Sequence, residues 1–265
     1  MTFLDTIAGS RRRRVAEARA REPLEALRER ARCRPPALDL LARLGRVANL
    51  PKGPRAVIAE IKRRSPSKGP LRPGLDPAAL ARQYEAAGAA AISVLTEPDH
   101  FGGSAADLAA VRGAVGLPLL YKDFVLDPYQ IWEARAAGAD LVLLIVALLG
   151  AQTPRYVALA AEAGLTPLVE VHDGPELEVA LACGVGLVGV NNRNLKTFQV
   201  DLGTSRSLLP RLPAGTVGVA ESGLKSPEDL DGLVPFGARV FLIGEALVRE
   251  PDPGAALRRF VERGS

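Results

Sequence analysis

Cysteine is scarce in this chain: Cys33 and Cys183 are the only two in 265 residues. Two thiols so far apart make neither a disulfide framework nor a metal knuckle, so a reduced, cytoplasmic setting is the default expectation. Histidine is as rare. His100 and His172 match no metal-ligand spacing and are expected as hydrogen-bonded loop residues. Long apolar runs are missing too. The longest, 141–150, is too short to cross a bilayer and reads as a strand buried on both faces, so no membrane partner is expected. Asp5 stands in the first apolar stretch and the arginines follow it, the wrong order for a secretory signal. No G-x-G-x-x-G follows the first strand, which speaks against a doubly wound dinucleotide fold.

What is present fits an ordinary globular enzyme. Apolar residues make up 48% and charged residues 24%. The net charge is +4, but the basic residues are spread out and only Arg11–Arg14 is dense. That run is expected to be a solvated helix face. No nucleic-acid partner is expected, and a mildly positive chain suits a negatively charged metabolite.

One phrase repeats: a helical stretch ends in a small residue and Gly, then a short apolar strand follows and ends in polar residues. After an opening strand at 56–61 it recurs with strands at 90–95, 117–121, 141–146, 166–171, 187–190, 217–220 and 240–243. Glycine just past a helix suits a left-handed C-cap. Repeats of roughly 20–30 residues are the size of one βα unit. Eight such units close into a (β/α)₈ barrel, an α/β fold without a free sheet edge. Residues 1–50 are expected to form a helical extension of two or so helices, broken at Pro35 and Pro36, packed on a barrel formed by 51–265. The oligomeric state stays open, a monomer included.

Active sites of such barrels lie at the C-terminal strand ends, where the βα loops converge. Those ends carry Glu60 and Lys62, Glu97, Lys122, Glu170, Asn191 and Arg193, Glu221, and Glu245. Side chains alternate along a strand, so Glu60 and Lys62 share a side. Lysine occurs six times, and Lys62, Lys68, Lys122, Lys196 and Lys225 all fall at strand ends or in the loops after them. A partly buried amine can exchange a proton, whereas guanidinium cannot, which marks Lys62 and Lys122 as chemical groups. Ser222 and Gly223 after the seventh strand, and Ile243, Gly244 and Glu245 after the eighth, form the loop pair where such barrels hold phosphate on backbone N–H groups. A phosphorylated, acidic small molecule is therefore the expected ligand.

At this level of detail the chain resembles the indole-3-glycerol phosphate synthase family. The matching segments are IAEIKRRSPS at 58–67, SVLTE at 93–97, FGGS at 101–104, KDF at 122–124 and LLIV at 143–146. They continue with LVEVH at 168–172, GVNNRNL at 189–195, AESG at 220–223 and FLIG at 241–244. Asn194 departs from the pattern, where an acidic residue is frequent. The resemblance implies ring closure of 1-(2-carboxyphenylamino)-1-deoxyribulose 5-phosphate with loss of CO₂ and water, in tryptophan biosynthesis, with no metal or organic cofactor. It implies Lys122 as general acid and Glu170 as general base, with Lys62 on the substrate carboxylate. Glu60, Asn191 and Glu221 would orient the lysines and the sugar hydroxyls. Phe101, Phe124, Leu144 and Leu195 would line the aromatic slot, with Arg193 among the binding residues. Ser65, Ser222, Gly223, Ile243, Gly244 and Glu245 would surround the phosphate. Another phosphosugar barrel, such as phosphoribosylanthranilate isomerase or a Schiff-base aldolase, and an idle phosphometabolite-binding barrel remain as alternatives.

Overall fold

Apolar runs bounded by Gly-capped helices become, in the computed structural model, a closed barrel of eight parallel strands. The structure describes residues 3–48 and 55–262. The strands are β1 (Ala56–Ile61), β2 (Ala91–Leu95), β3 (Leu119–Lys122), β4 (Leu141–Ile145), β5 (Thr166–Val171), β6 (Leu187–Asn191), β7 (Val217–Glu221) and β8 (Val240–Ile243). Each pairs with its sequence neighbour, and β8 closes on β1 with Ala56 opposite Val240 and Ile58 opposite Leu242. Helices cross back between successive strands on the outside. Six glycines of the repeat, Gly88, Gly138, Gly164, Gly184, Gly215 and Gly237, have the positive φ expected of helix ends.

The period of two along each strand sorts the core into two shells. Ala56, Ile58, Leu120, Leu141, Leu143, Leu168, Val219 and Leu242 fill the barrel interior. Their alternates, among them Val57, Ala59, Val142, Leu144, Val169 and Phe241, pack against the helices. The same alternation carries polar residues inward at the C-terminal strand ends, where the apolar filling stops.

The N-terminal segment forms three helices, α1 (Phe3–Arg21), α2 (Leu24–Arg32) and α3 (Leu40–Ala48). The break at 33–39 contains the expected proline pair. A further break falls at Glu22, because Pro23 drives the residue before it out of the helical region. The expected join between extension and barrel, at 50–51, lies outside the described residues. Helix α3 closes the N-terminal end of the barrel: Leu40 and Leu44 join the interior shell, and the Leu38 N–H donates to Asp140, just before β4. Helix α2 packs on the helix Pro128–Ala137, with Arg28 lying 4.9 Å over the Trp132 ring.

Helix α1 lies over the opposite, C-terminal end. Here the expectation of a solvated Arg11–Arg14 face is corrected. Arg11 is buried and its guanidinium meets Asp123, just past β3, at 2.7 Å. Arg14 pairs with Asp99 after β2, while Arg12 and Arg13 are exposed. Every fourth residue of α1 faces the barrel, and a buried cation there needs a buried anion. Asp123 supplies it and also accepts from the Tyr121 hydroxyl at 3.0 Å.

Candidate active site

Because Glu60, Lys122, Glu170, Asn191 and Glu221 occupy inward positions of five strands, their side chains converge at the mouth of the barrel. They line one cavity of about 670 Å³. Lys122 Nζ sits among three carboxylates: Glu221 at 3.4 Å, Glu170 at 3.8 Å and Glu60 at 3.9 Å. Lys62 continues the β1 alternation and reaches Glu60 at 2.7 Å. Asn191 donates its amide to Glu170 at 3.1 Å and accepts from the Arg193 N–H at 3.0 Å.

Two glycines make room for this cluster. A Cβ on Gly189 would strike the Glu221 carboxylate, and a Cβ on Gly244 would strike Glu60. Gly244 is thus required by its acidic neighbour as well as by the loop it belongs to.

The charges push the protonation states apart. Burial disfavours the Lys122 ammonium, but the Glu221, Glu170 and Glu60 carboxylates outweigh it and hold the amine above its ordinary value. Burial raises Glu170, yet His172 and Lys122 overcome it and keep the carboxyl below the usual range. Glu60 is lowered in the same way, against burial, by Lys62 and Lys122. Glu221 goes the other way. Burial and its like-charged neighbours Glu170 and Glu60 raise it despite Lys122. Both of its oxygens are buried with no aligned hydrogen bond. At neutral pH the mouth therefore holds Lys122 as the ammonium beside Glu170 as the carboxylate.

Apolar side chains and the loop residues after β1, β7 and β8 line other parts of the same cavity. Phe101 and Phe124, with ring centroids 6.1 Å apart, stand with Leu195 and form an apolar wall. Leu144, expected there, does not belong to it. Its side chain points outward into the shell under the helices, and Leu143 and Ile145 line the cavity instead. The alternation of β4 decides this, since Leu141 and Leu143 are both inward. Ser65, Ser222, Gly223, Ile243, Gly244 and Glu245 line another part of the same cavity. Ile243 turns its side chain into the outer shell. The Ser65 hydroxyl is buried without a partner. Glu245 pairs with Arg249 at 3.2 Å. Ser222 holds a positive φ of 64°, a strained state for a residue with a side chain, and the neighbouring Gly223 has φ 80°.

Several lining residues had no signal as site residues. Phe3 of α1 packs edge-on against Phe198, centroids 4.8 Å apart, so the extension contributes to the cavity wall. Lys68 and Lys225, noted only for their loop positions, and Arg249 add positive charge near Ser65 and Ser222. Glu97, at a strand end, is turned away and accepts three backbone N–H bonds at the start of the helix Pro98–Phe101. Asn194 accepts from the N–H groups of Lys196 and Thr197 and so shapes the loop after β6. His100 bonds Glu97, and His172 lies between Glu170 and Glu176. Among the described residues no cluster of His, Cys, Asp and Glu could hold a metal ion. No helix among them is long and apolar enough to cross a membrane.

The family model described as indole-3-glycerol phosphate synthase matches residues 4–260. The chain is 50% identical over 266 residues to indole-3-glycerol phosphate synthase 1 of Streptomyces coelicolor, covering 100% of this chain and 96% of that one. It is 48% identical over 257 residues to indole-3-glycerol phosphate synthase of Laribacter hongkongensis, covering 96% and 97%. It is also 59% identical over 205 residues to that of a Nocardioides species, covering 77% and 79%.

Proposed function

The chain belongs to the indole-3-glycerol phosphate synthase family, and from that premise we propose how its cavity closes the ring of 1-(2-carboxyphenylamino)-1-deoxyribulose 5-phosphate with loss of CO₂ and water. The observation that carries the reading is the Lys122 amine, held protonated between three inward carboxylates at one end of an apolar wall.

The substrate has two anionic ends and an aromatic ring, and the cavity offers a surface for each. The ring lies against Phe101, Phe124, Leu195 and the corrected pair Leu143 and Ile145. Lys62 meets the carboxylate, with Glu60 holding the amine in place. The phosphate sits by Ser65 and the loops at Ser222, Gly223, Gly244 and Glu245, with Lys68, Lys225 and Arg249 supplying positive charge. As the ring carbon attacks the ketone, Lys122 gives a proton to the forming alkoxide. The carboxylate lies in a largely apolar slot and departs as neutral CO₂, leaving its electron pair in the ring system. Departure of the hydroxyl as water takes a second proton, from the Lys122 amine recharged by solvent, and Glu170 accepts the C–H proton of the new five-membered ring, which completes the aromatic indole. Asn191 holds Glu170. Glu221 holds a sugar hydroxyl or Lys122.

Glu170→Gln tests the base. It keeps the Asn191 contact but cannot take up the proton, so kcat should fall by about 10² or more. Turnover near that of the wild type would remove Glu170 from the role. The scarcity of cysteine and the net charge support a cytoplasmic protein acting on a small phosphorylated molecule rather than on nucleic acid.

A further inference from the structure

We infer that His172 is a positioning residue that aims the Glu170 carboxylate into the cavity and keeps it ionised, and that Glu176 in turn holds His172. The inference rests on the reading of Glu170 as the base. His172 follows Glu170 by two on the same strand end, so both side chains leave the strand on one side. Its Nε2 lies 3.3 Å from Glu170 Oε1. That nitrogen is buried and has no aligned acceptor, so its interaction with Glu170 is one of charge and proximity. On the far side, Nδ1 lies 3.0 Å from Glu176 Oε2, and the same oxygen accepts the His172 backbone N–H at 2.8 Å. The line Glu176, His172, Glu170 therefore leads from the first turn of the helix Gly174–Ala182 into the cavity. His172 does not line the cavity and acts only through Glu170.

Helix capping shows why Glu176 is unusual. Asp173 caps this helix by accepting the Glu176 N–H at 2.9 Å. A glutamate three residues after a cap ordinarily returns its carboxylate to the cap's own N–H. Here it reaches one residue further back and takes both the backbone and the ring of His172. The capping group is diverted to a histidine beside the base.

The other groups around the pair are accounted for. Glu170 faces Lys122 of β3, Asn191 of β6, and the carboxylates of Glu60 and Glu221 from β1 and β7. The helix Val146–Leu149, which packs between β5 and the helix Gly174–Ala182, has no charged side chain. Burial lowers His172, but Glu170 and Glu176 outweigh it and raise the imidazole to about 10. It is thus a cation throughout the neutral range. Removing that cation must raise the Glu170 carboxyl, so its protonation moves up toward the working range of pH.

The test is kcat/KM from pH 4 to 8 for wild type, His172→Gln, Glu176→Gln and the double variant, each divided by the wild-type value at the same pH. The ratio cancels titration of the substrate phosphate. For His172→Gln it should fall by up to about tenfold between pH 8 and pH 4, since an opposite charge at this range moves a carboxyl by roughly 1–3 units, here upward from about 2. Glu176→Gln should show the same slope, shallower, and add nothing in the His172→Gln background. Should His172→Gln fail to fold, the slope of Glu176→Gln carries the test. A ratio flat with pH, or slopes that add in the double variant, would overturn the positioning role. Failure of the base assignment is separate: it would appear as near-normal turnover in Glu170→Gln.

Discussion

Replacing Lys122 by Arg and by Ala separates its two duties. Nζ has three carboxylates between 3.4 and 3.9 Å, so it both supplies a proton and neutralises the cluster. Arginine keeps the charge but cannot release a proton at accessible pH. Lys122→Arg should therefore fold and bind substrate, while kcat falls by about 10² or more, equivalent to about 2.7 kcal/mol of lost transition-state stabilisation. Lys122→Ala should lose the same chemistry and stability as well. Breaking a buried charge cluster by removing one partner costs about 3–5 kcal/mol. The pH dependence has a definite sign. Without the ammonium, the Glu221 carboxyl, already raised in the folded state, rises further above its unfolded value of about 4.3, and Glu60 and Glu170 lose part of the charge that holds them down. The folded protein then binds more protons than the unfolded one, so the deficit is small at pH 5 and grows toward pH 8. Turnover is read from indole fluorescence and stability from Tm at the two pH values. Wild-type kcat in Lys122→Arg would refute the acid assignment. An Ala variant whose Tm deficit does not depend on pH would refute the electrostatic reasoning.

Leu143→Ala and Leu144→Ala should each cost about 2–5 kcal/mol of stability by denaturant unfolding. Only Leu143→Ala should raise KM, and a KM effect at Leu144 would reverse the correction made at β4. Arg11→Ala leaves the buried Asp123 without its cation. Burial already lifts that carboxyl to about 6 against the pull of Arg11. Its folded value, then higher still, lies above the unfolded one, so stability is lost as pH rises through it. A deficit of about 3–5 kcal/mol is expected at pH 8 and a smaller one at pH 5, read as Tm. Gly189→Ala places a methyl against Glu221, and kcat should drop on the order of 10²-fold with the fold retained by circular dichroism. Unchanged kcat would show that the Glu221 position does not matter.

Most of the barrel was legible because each strand is buried on both faces. Such strands read as uninterrupted apolar runs, and six of the eight are announced by a glycine whose left-handed cap other residues adopt only at a cost. The site was legible because polar residues stand at the point where the apolar filling stops: Glu60, Lys122, Glu170, Asn191 and Glu221 are all inward by alternation. Leu144 was misplaced although the same alternation assigns it outward; its motif attracted it to the site. Arg11, Phe3 and His172 could not be placed from sequence. The first two depend on how α1 docks over the mouth, a contact across more than 100 residues for Arg11 and Asp123. The third depends on a capping glutamate turning from its usual partner. Pro23 was legible as a helix break and was overlooked beside the more conspicuous pair at 35 and 36.

The most direct test incubates the wild-type protein with 1-(2-carboxyphenylamino)-1-deoxyribulose 5-phosphate labelled in its carboxyl group, following indole fluorescence and released CO₂ together, with borohydride added to a parallel sample. Indole and CO₂ should appear in equal amounts at equal rates, with no borohydride-trapped lysine adduct. Substrate bound but unchanged, or a trapped adduct in place of indole, would contradict the assignment of this cavity to ring closure.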